Sequence, residues 1–229
     1  MRYYPLLLDL TAMSCLVVGA GEVGERKILG LLECSPRTVL AVDTNPPSRA
    51  LTALLASASN FAYEQRPFTA TDLQGQQLVF ACTSNRTVNA EISRICKDKQ
   101  ILCNTTDAPD DGNFVLPASI VQGDLTISVS TSGASPALSK IIRQELEDKY
   151  GPEYRGFTRL LKRVREALLP LGMTSSENRI IFRQLASSPL PALMRAKDFE
   201  RCAAQLRQIL PASLHPRIGE WCDDCFKTF

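Results

Sequence analysis

The feature of this sequence that most constrains its fold is a glycine motif between an apolar run and an amphipathic segment. Gly19-Ala20-Gly21-Glu22-Val23-Gly24 follows the apolar run Ser14–Val18 and opens residues 22–32, where apolar side chains recur at helical spacing. In such a strand–turn–helix unit the first glycine permits a tight turn and the second lets a pyrophosphate approach the backbone. The third lets helix and strand pack closely, and the helix N-terminus faces the phosphate charge. The motif therefore predicts a dinucleotide site.

The same alternation continues along the first half of the chain. The pattern predicts strands at residues 38–42, 61–64, 78–82 and 101–104, and helices at residues 49–57 and 87–97. Strands that alternate with helices are typical of parallel sheets with right-handed crossovers. We therefore expect an α/β fold with a Rossmann-like, doubly wound parallel sheet.

The pattern changes after this sheet. Residues 125–130 alternate like a half-exposed strand, and Ser135-Pro136 opens a helix with Ser135 as its expected N-cap. From residue 150 only helical spacing is evident, with a boundary near Gly151-Pro152. We expect a dinucleotide-binding domain at residues 1–112, a small α+β segment at residues 113–149 and a helical domain at residues 150–229.

Charge and composition exclude several classes of protein. The net charge is +2, from 26 basic and 24 acidic residues, which argues against binding nucleic acid over the whole surface. No apolar run approaches the roughly 18 residues of a membrane helix, so no membrane contact is expected. Eight cysteines without a recognisable export signal favour reduced thiols and a cytoplasmic protein. Basic residues concentrate after residue 150, which fits either an anionic ligand or a solvated helix surface.

An acidic residue refines the dinucleotide prediction. Asp43 ends the second predicted strand, where a carboxylate can accept hydrogen bonds from ribose hydroxyls and would repel a 2′-phosphate. This favours NAD over NADP, although a glycine turn without a ligand remains the alternative. The residues expected around the cofactor are Gly19, Gly21, Glu22, Val23, Gly24, Asp43, Thr44 and Thr83.

Six ordered motifs carry a resemblance to a known family. They are Tyr4-Pro5-Leu6, residues 17–27, Ala81-Cys82-Thr83, residues 103–109, residues 114–117 and residues 130–136. In this order and spacing the chain resembles the precorrin-2 dehydrogenase family, which also forms the N-terminal module of siroheme synthases. The resemblance extends through about residue 147 and fades in the helical tail.

The resemblance implies NAD-dependent oxidation of precorrin-2 to sirohydrochlorin, in siroheme or cobalamin synthesis. Some family members also insert iron or cobalt into the product. The family's key acid corresponds to Asp107, which we expect to act as a general base, with an Asx-turn role as the alternative. Residues 113–149 resemble the family's dimerisation region, which implies a homodimer. The expected contacts of the multiply carboxylated tetrapyrrole are Asn104, Thr131, Arg155 and Arg159.

Other interpretations of the sequence remain open. A lone His215 and a single Cys222-Asp-Asp-Cys225 pair predict no protein-held metal. One rival function is a non-catalytic NAD-sensing regulatory module whose basic helical tail contacts DNA or a partner protein. Another is a dehydrogenase of small metabolites, which would normally place a His, Tyr or Lys near the nicotinamide. No obvious residue of that kind appears before residue 140.

Overall fold

Five short parallel strands form the sheet of the first unit, which ends at Leu116. Their order across the sheet is β3-β2-β1-β4-β5. The strands β2 and β3 are therefore added on one side of β1 and the strands β4 and β5 on the other, and the boundary between β1 and β4 is the topological switch point. Ligands of such sheets bind at the carboxyl ends near this switch point. The strands are β1 Ser14–Val18, β2 Thr38–Asp43, β3 Phe61–Gln65, β4 Leu78–Ala81 and β5 Leu102–Thr105. The computed structural model describes residues 3–227.

Three helices connect these strands and cover both faces of the sheet. They are α1 Glu22–Glu33, α2 Arg49–Ser57 and α3 Arg86–Asp98. Ile28 of α1 and Leu51 of α2 pack in one apolar layer, and Ile92 of α3 packs in the other. Because apolar residues of β1 and β4 face both layers, every residue of these strands except Ser14 is buried, as is typical of parallel sheets. The predicted Rossmann-like fold is confirmed.

The second unit begins at Pro117 and is a hairpin followed by helices. Strands β6 Ala118–Gln122 and β7 Leu125–Val129 pair in antiparallel register. A fully buried Trp221 lies in the core of the helical part, in one cluster with leucines of four other helices. The helices are α4 Pro136–Lys149, α5 Glu153–Leu168, α6 Ser175–Ala186, α7 Leu190–Arg195, α8 Phe199–Ile209 and α9 Ile218–Phe226.

Most predicted elements occur within two residues of their expected ends, and the Ser135 hydroxyl caps α4 by accepting a 3.2 Å hydrogen bond from Leu138 N. Strand β6 and helices α7 and α9 were not predicted. The structure groups the hairpin and α4 with the later helices, so the finer division into residues 113–149 and 150–229 stays a prediction. Between residues 3 and 227, no helix is long and apolar enough to cross a membrane.

Candidate functional site

The glycine motif forms the turn between β1 and α1, and its glycines differ in what surrounds them. Gly19 has φ +88°, and a Cβ there would lie 2.7 Å from the backbone of Cys82 and Thr83. A Cβ on Gly24 would lie 1.9 Å from the Gly19 carbonyl oxygen. At Gly21, by contrast, no atom of the described chain lies within 4 Å of the Cβ position. Packing therefore requires the first and third glycines, while the second leaves open space.

That open space lies in front of the α1 N-terminus. Gly21 is the N-cap, and Glu25 N donates the first helical hydrogen bond to its carbonyl oxygen at 2.8 Å. The preceding N–H groups, of Glu22, Val23 and Gly24, have no partner within the helix because they belong to its first turn. These donors, together with the positive end of the helix dipole, suit a pyrophosphate. We call this site, residues 19–24 with the N–H groups of the first turn of α1, the glycine cradle. It fits the pyrophosphate of the dinucleotide that the motif predicts.

Asp43 connects the end of β2 to this cradle. Its Oδ2 accepts a 2.6 Å hydrogen bond from Ala20 N, and its Oδ1 accepts bonds from the Asn45 backbone N and Nδ2 at 2.8 and 3.1 Å. A carboxylate offers about four lone-pair positions, so one remains for a ribose hydroxyl. Thr44 follows in an exposed turn, where its carbonyl accepts from Gln65 Nε2.

A buried amide joins the turns that follow β4 and β5. Asn89 Oδ1 accepts a 2.7 Å hydrogen bond from the Thr83 hydroxyl, and Asn89 Nδ2 donates to Thr83 O and to Asp107 Oδ1, each at 2.9 Å. Asn89 was not among the predicted site residues. It lies on the same buried face of α3 as Ile92 and Cys96. A polar residue in an otherwise apolar helical stripe is the sequence feature from which Asn89 could have been predicted as a site residue.

Asp107 lies in a cavity of about 290 Å³ beside these turns. Its side chain is 23 % exposed, and its Oδ2 lies 4.0 Å from Arg86 Nε. The Arg86 side chain is 87 % exposed, so this ion pair contributes little to stability. The other lining residues are Asn89, Ala90, Thr105, Ala108 and Asp111. The arrangement provides a carboxylate that is fixed at one oxygen and accessible at the other.

Two further titratable groups lie near the end of β4. Burial lowers the pKa of Lys27, whose Nζ lies 5.9 Å from the Phe80 ring centroid. Burial raises the pKa of the Cys82 thiol to about 11, and the negative charge of Asp107 adds to the increase. Cys82 is therefore a neutral thiol at physiological pH and a poor nucleophile.

Asn104 lies within β5 and is almost fully buried. Its Nδ2 donates to the Phe114 carbonyl at 3.2 Å, and the Phe114 ring packs edge-on against Phe80 with centroids 5.6 Å apart. The amide therefore holds the segment that leaves the sheet. Its predicted contact with the substrate stays a prediction.

The remaining predicted residues lie in the second unit. The Thr131 hydroxyl donates to Ser135 O and accepts from Ser135 N, both at 3.1 Å, at the start of α4. Arg155 and Arg159 line a cavity of about 510 Å³, as do Lys162 and Arg163, so these four cations of α5 face the same cavity. Arg155 Nε donates to Gln122 Oε1 at 3.0 Å, and Arg159 Nε lies 3.1 Å from Asp224 Oδ2.

The His and Cys side chains considered for metal binding have other surroundings. His215 Nε2 lies 3.0 Å from the Leu210 carbonyl, while Cys222 and Cys225 are buried in the helical core. Within the described part of the chain, no three His, Cys, Asp or Glu side chains are grouped as a metal site would require.

Comparison with known proteins identifies the family. An NAD(P)-binding family model matches residues 6–118, and the model for the central part of sirohaem biosynthesis proteins matches residues 122–149. The siroheme synthase of Methylococcus capsulatus is 35 % identical over 222 residues, which are 96 % of this chain and 46 % of that protein. The precorrin-2 dehydrogenase of Methanosarcina barkeri is 31 % identical over 219 residues, 93 % of this chain and 96 % of that protein. The chain belongs to the precorrin-2 dehydrogenase family.

The structure agrees with membership of the precorrin-2 dehydrogenase family. The solved structure of SirC, a precorrin-2 dehydrogenase, matches with a TM-score of 0.73 at 25 % identity, covering 90 % of this chain and 98 % of that one. The chain spans about half the length of the siroheme synthases that it matches. The resemblance predicted from six sequence motifs is therefore confirmed.

Proposed function

We propose that this protein oxidises precorrin-2 to sirohydrochlorin with NAD⁺ as the hydride acceptor. The observation that carries the proposal is the position of Asp107. It follows β5, next to β4 and the switch point where the glycine cradle lies, and it lines a cavity. Similarity over nearly the full length of a precorrin-2 dehydrogenase supports the choice of reaction.

The reaction removes one hydride and one proton from the macrocycle. A dinucleotide held at the glycine turn and Asp43 would supply the hydride acceptor. Asp107 takes up the proton at Oδ2, because its Oδ1 already accepts the Asn89 hydrogen bond. The carboxylate charge also stabilises the positive charge that develops on the macrocycle as the hydride leaves. The products are sirohydrochlorin, NADH and one proton.

The test is turnover by the purified protein. Precorrin-2 and NAD⁺ should yield NADH and the absorption spectrum of sirohydrochlorin. NAD⁺ binding without NADH formation would contradict the proposal and match the sensor module instead. Repeating the assay with Fe²⁺ or Co²⁺ as substrate tests metal insertion, which the family resemblance leaves undecided for this chain.

We propose NAD as the cofactor, because the Asp43 carboxylate lies where a 2′-phosphate would have to approach. Replacing Asp43 with Asn should lower the ratio of kcat/KM for NAD⁺ to that for NADP⁺ about tenfold, since a repulsive charge is removed. Steady-state kinetics with both dinucleotides measures the ratio. Glu33→Gln removes the same charge at the opposite end of α1 and should leave the ratio unchanged. An unaltered ratio in the Asp43 variant would exclude this role.

The substrate's carboxylates need cationic or hydrogen-bonding partners. We keep Asn104, Thr131, Arg155 and Arg159 as the proposed contacts. The basic cavity of α5 supports the two arginines, because Gln122 and Asp224 hold their guanidinium groups in defined orientations.

We propose that two copies form a homodimer through the hairpin and α4. This region exposes Val121 at 58 %, Leu138 at 47 % and Ile141 at 57 %, which is an apolar patch that a second copy would cover. Light scattering should give a mass near two chains, and Ile141→Lys should shift it toward one. A mass of one chain for the wild type would exclude the dimer.

We place the protein in the cytoplasm, where thiols such as Cys96 and Cys103 stay reduced.

A further inference from the structure

Asn89 uses the whole hydrogen-bonding capacity of its side chain. Its carboxamide is 1 % exposed. Oδ1 accepts from the Thr83 hydroxyl at 2.7 Å and from Thr83 N at 3.3 Å, and Nδ2 donates to Thr83 O and Asp107 Oδ1. An amide has two donor hydrogens and two acceptor positions, so all four are occupied.

These partners leave one orientation for the amide. If its oxygen and nitrogen were exchanged, the NH₂ group would face Thr83 N–H, and the oxygen would face the Asp107 carboxylate. Both contacts would be repulsive. Because Nδ2 can only donate, the Asp107 oxygen that it contacts must accept.

Folding of α3 does not need this side chain. Asn85 caps the helix, as its Oδ1 accepts from Thr87 N and Val88 N at 3.0 and 3.3 Å. An apolar residue at position 89 would continue the buried stripe of Ile92. A buried amide costs free energy unless it is fully paired, and here its partners come from the turns after two different strands.

We infer that Asn89 is a positioning residue for the proposed reaction. It holds Asp107 by a hydrogen bond at Oδ1, leaves Oδ2 at the cavity, and fixes this carboxylate relative to Thr83 at the cofactor end of β4. The inference rests on the proposed function and goes beyond it by naming a residue that acts through Asp107.

The decisive variant is Asn89→Asp, which has the same shape. When the introduced carboxyl group is protonated, it donates an O–H to Asp107 and restores the native hydrogen bond. When that proton is lost, two carboxylates face each other at about 2.9 Å and repel. The kcat of Asn89→Asp should therefore be about tenfold below wild type at pH 8, but within about threefold at pH 6. The KM for NAD⁺ should stay within about twofold of wild type at both pH values.

Asn85→Asp is the matched control, since it makes the same change one helical turn earlier and aspartate is an equally good N-cap. It should follow the wild-type pH profile. Thermal unfolding provides a second measurement, because the melting temperature of Asn89→Asp should fall between pH 6 and pH 8 relative to both other proteins.

The outcomes separate this inference from the proposed function. Wild-type turnover combined with a pH-independent loss in Asn89→Asp, or with no loss, overturns the positioning role alone. No wild-type turnover overturns the proposed function and the role that rests on it. In that case the pH dependence of the melting temperature of Asn89→Asp would still show whether the introduced carboxyl group shares a proton with Asp107.

Discussion

Replacing Asp107 with Asn is expected to reduce kcat for NADH formation from precorrin-2 by about 100-fold or more, the usual contribution of a general base. Asparagine keeps the shape of the side chain, and its Oδ1 can still accept the 2.9 Å hydrogen bond from Asn89. The substitution removes the ability to take up a proton and the negative charge that stabilises the developing positive charge of the macrocycle. Steady-state kinetics under saturating NAD⁺ measures the change, and the affinity for NAD⁺ should stay within about twofold.

Asp98→Asn is the control for this variant. Asp98 is the last residue of α3, at the opposite end of the helix from the cavity-lining Arg86, and forms a 3.2 Å exposed ion pair with Arg94. It should retain wild-type kcat. If the wild-type protein turns over precorrin-2, an Asp107→Asn enzyme with kcat near wild type would exclude a role for Asp107 in the reaction.

Replacing Gly24 with Ala is expected to lower the free energy of unfolding by about 3 kcal/mol, because overpacking at a contact between backbones has no flexible side chain to yield. The added Cβ would lie 1.9 Å from the Gly19 carbonyl oxygen, so α1 and the glycine turn must separate. The affinity for NAD⁺ should fall at least about tenfold, since the cradle is displaced. Chemical denaturation and dinucleotide titration measure the two effects.

Two other glycines of the same region separate folding from binding. Gly21→Ala meets open space and should cost about 1 kcal/mol or less in unfolding free energy, as expected at an N-cap, yet it should weaken NAD⁺ binding by occupying the pyrophosphate position. Gly30→Ala, in the interior of α1, also meets no atom of the described chain within 4 Å and should stabilise by about 0.5–1 kcal/mol without changing binding. A Gly24 variant as stable as wild type would contradict the packing argument.

The parts of the site that sequence could predict depend on local rules. The roles of the glycines follow from a motif of six residues between a strand and a helix, and Asp43 follows because a carboxylate at the end of β2 needs only the strand assignment. Ser135 was likewise recognisable as a cap from its neighbour Pro136. Each of these features is set within a short stretch of chain.

The Asn89 bridge could not be predicted in the same way. Its partners are residues 83 and 107, and their contact depends on how α3 docks against the ends of β4 and β5. Helix α9 was missed for a related reason. Its Cys-Asp-Asp-Cys run looks like ligand chemistry, whereas the cysteines and Trp221 are buried by packing against α5 and α8.

The closeness of Gly19 to the backbone of Cys82 and Thr83 has a practical consequence for engineering. These two turns are more than sixty positions apart, yet their backbones pack so closely that a Cβ on Gly19 would lie 2.7 Å from Cys82 and Thr83, and no side chain is available to absorb a change in either turn. When a cofactor loop is transplanted from a relative, the turn at Gly19 and the turn at Cys82 and Thr83 should therefore be exchanged together. If only one were exchanged, its backbone would clash with or pack poorly against the other.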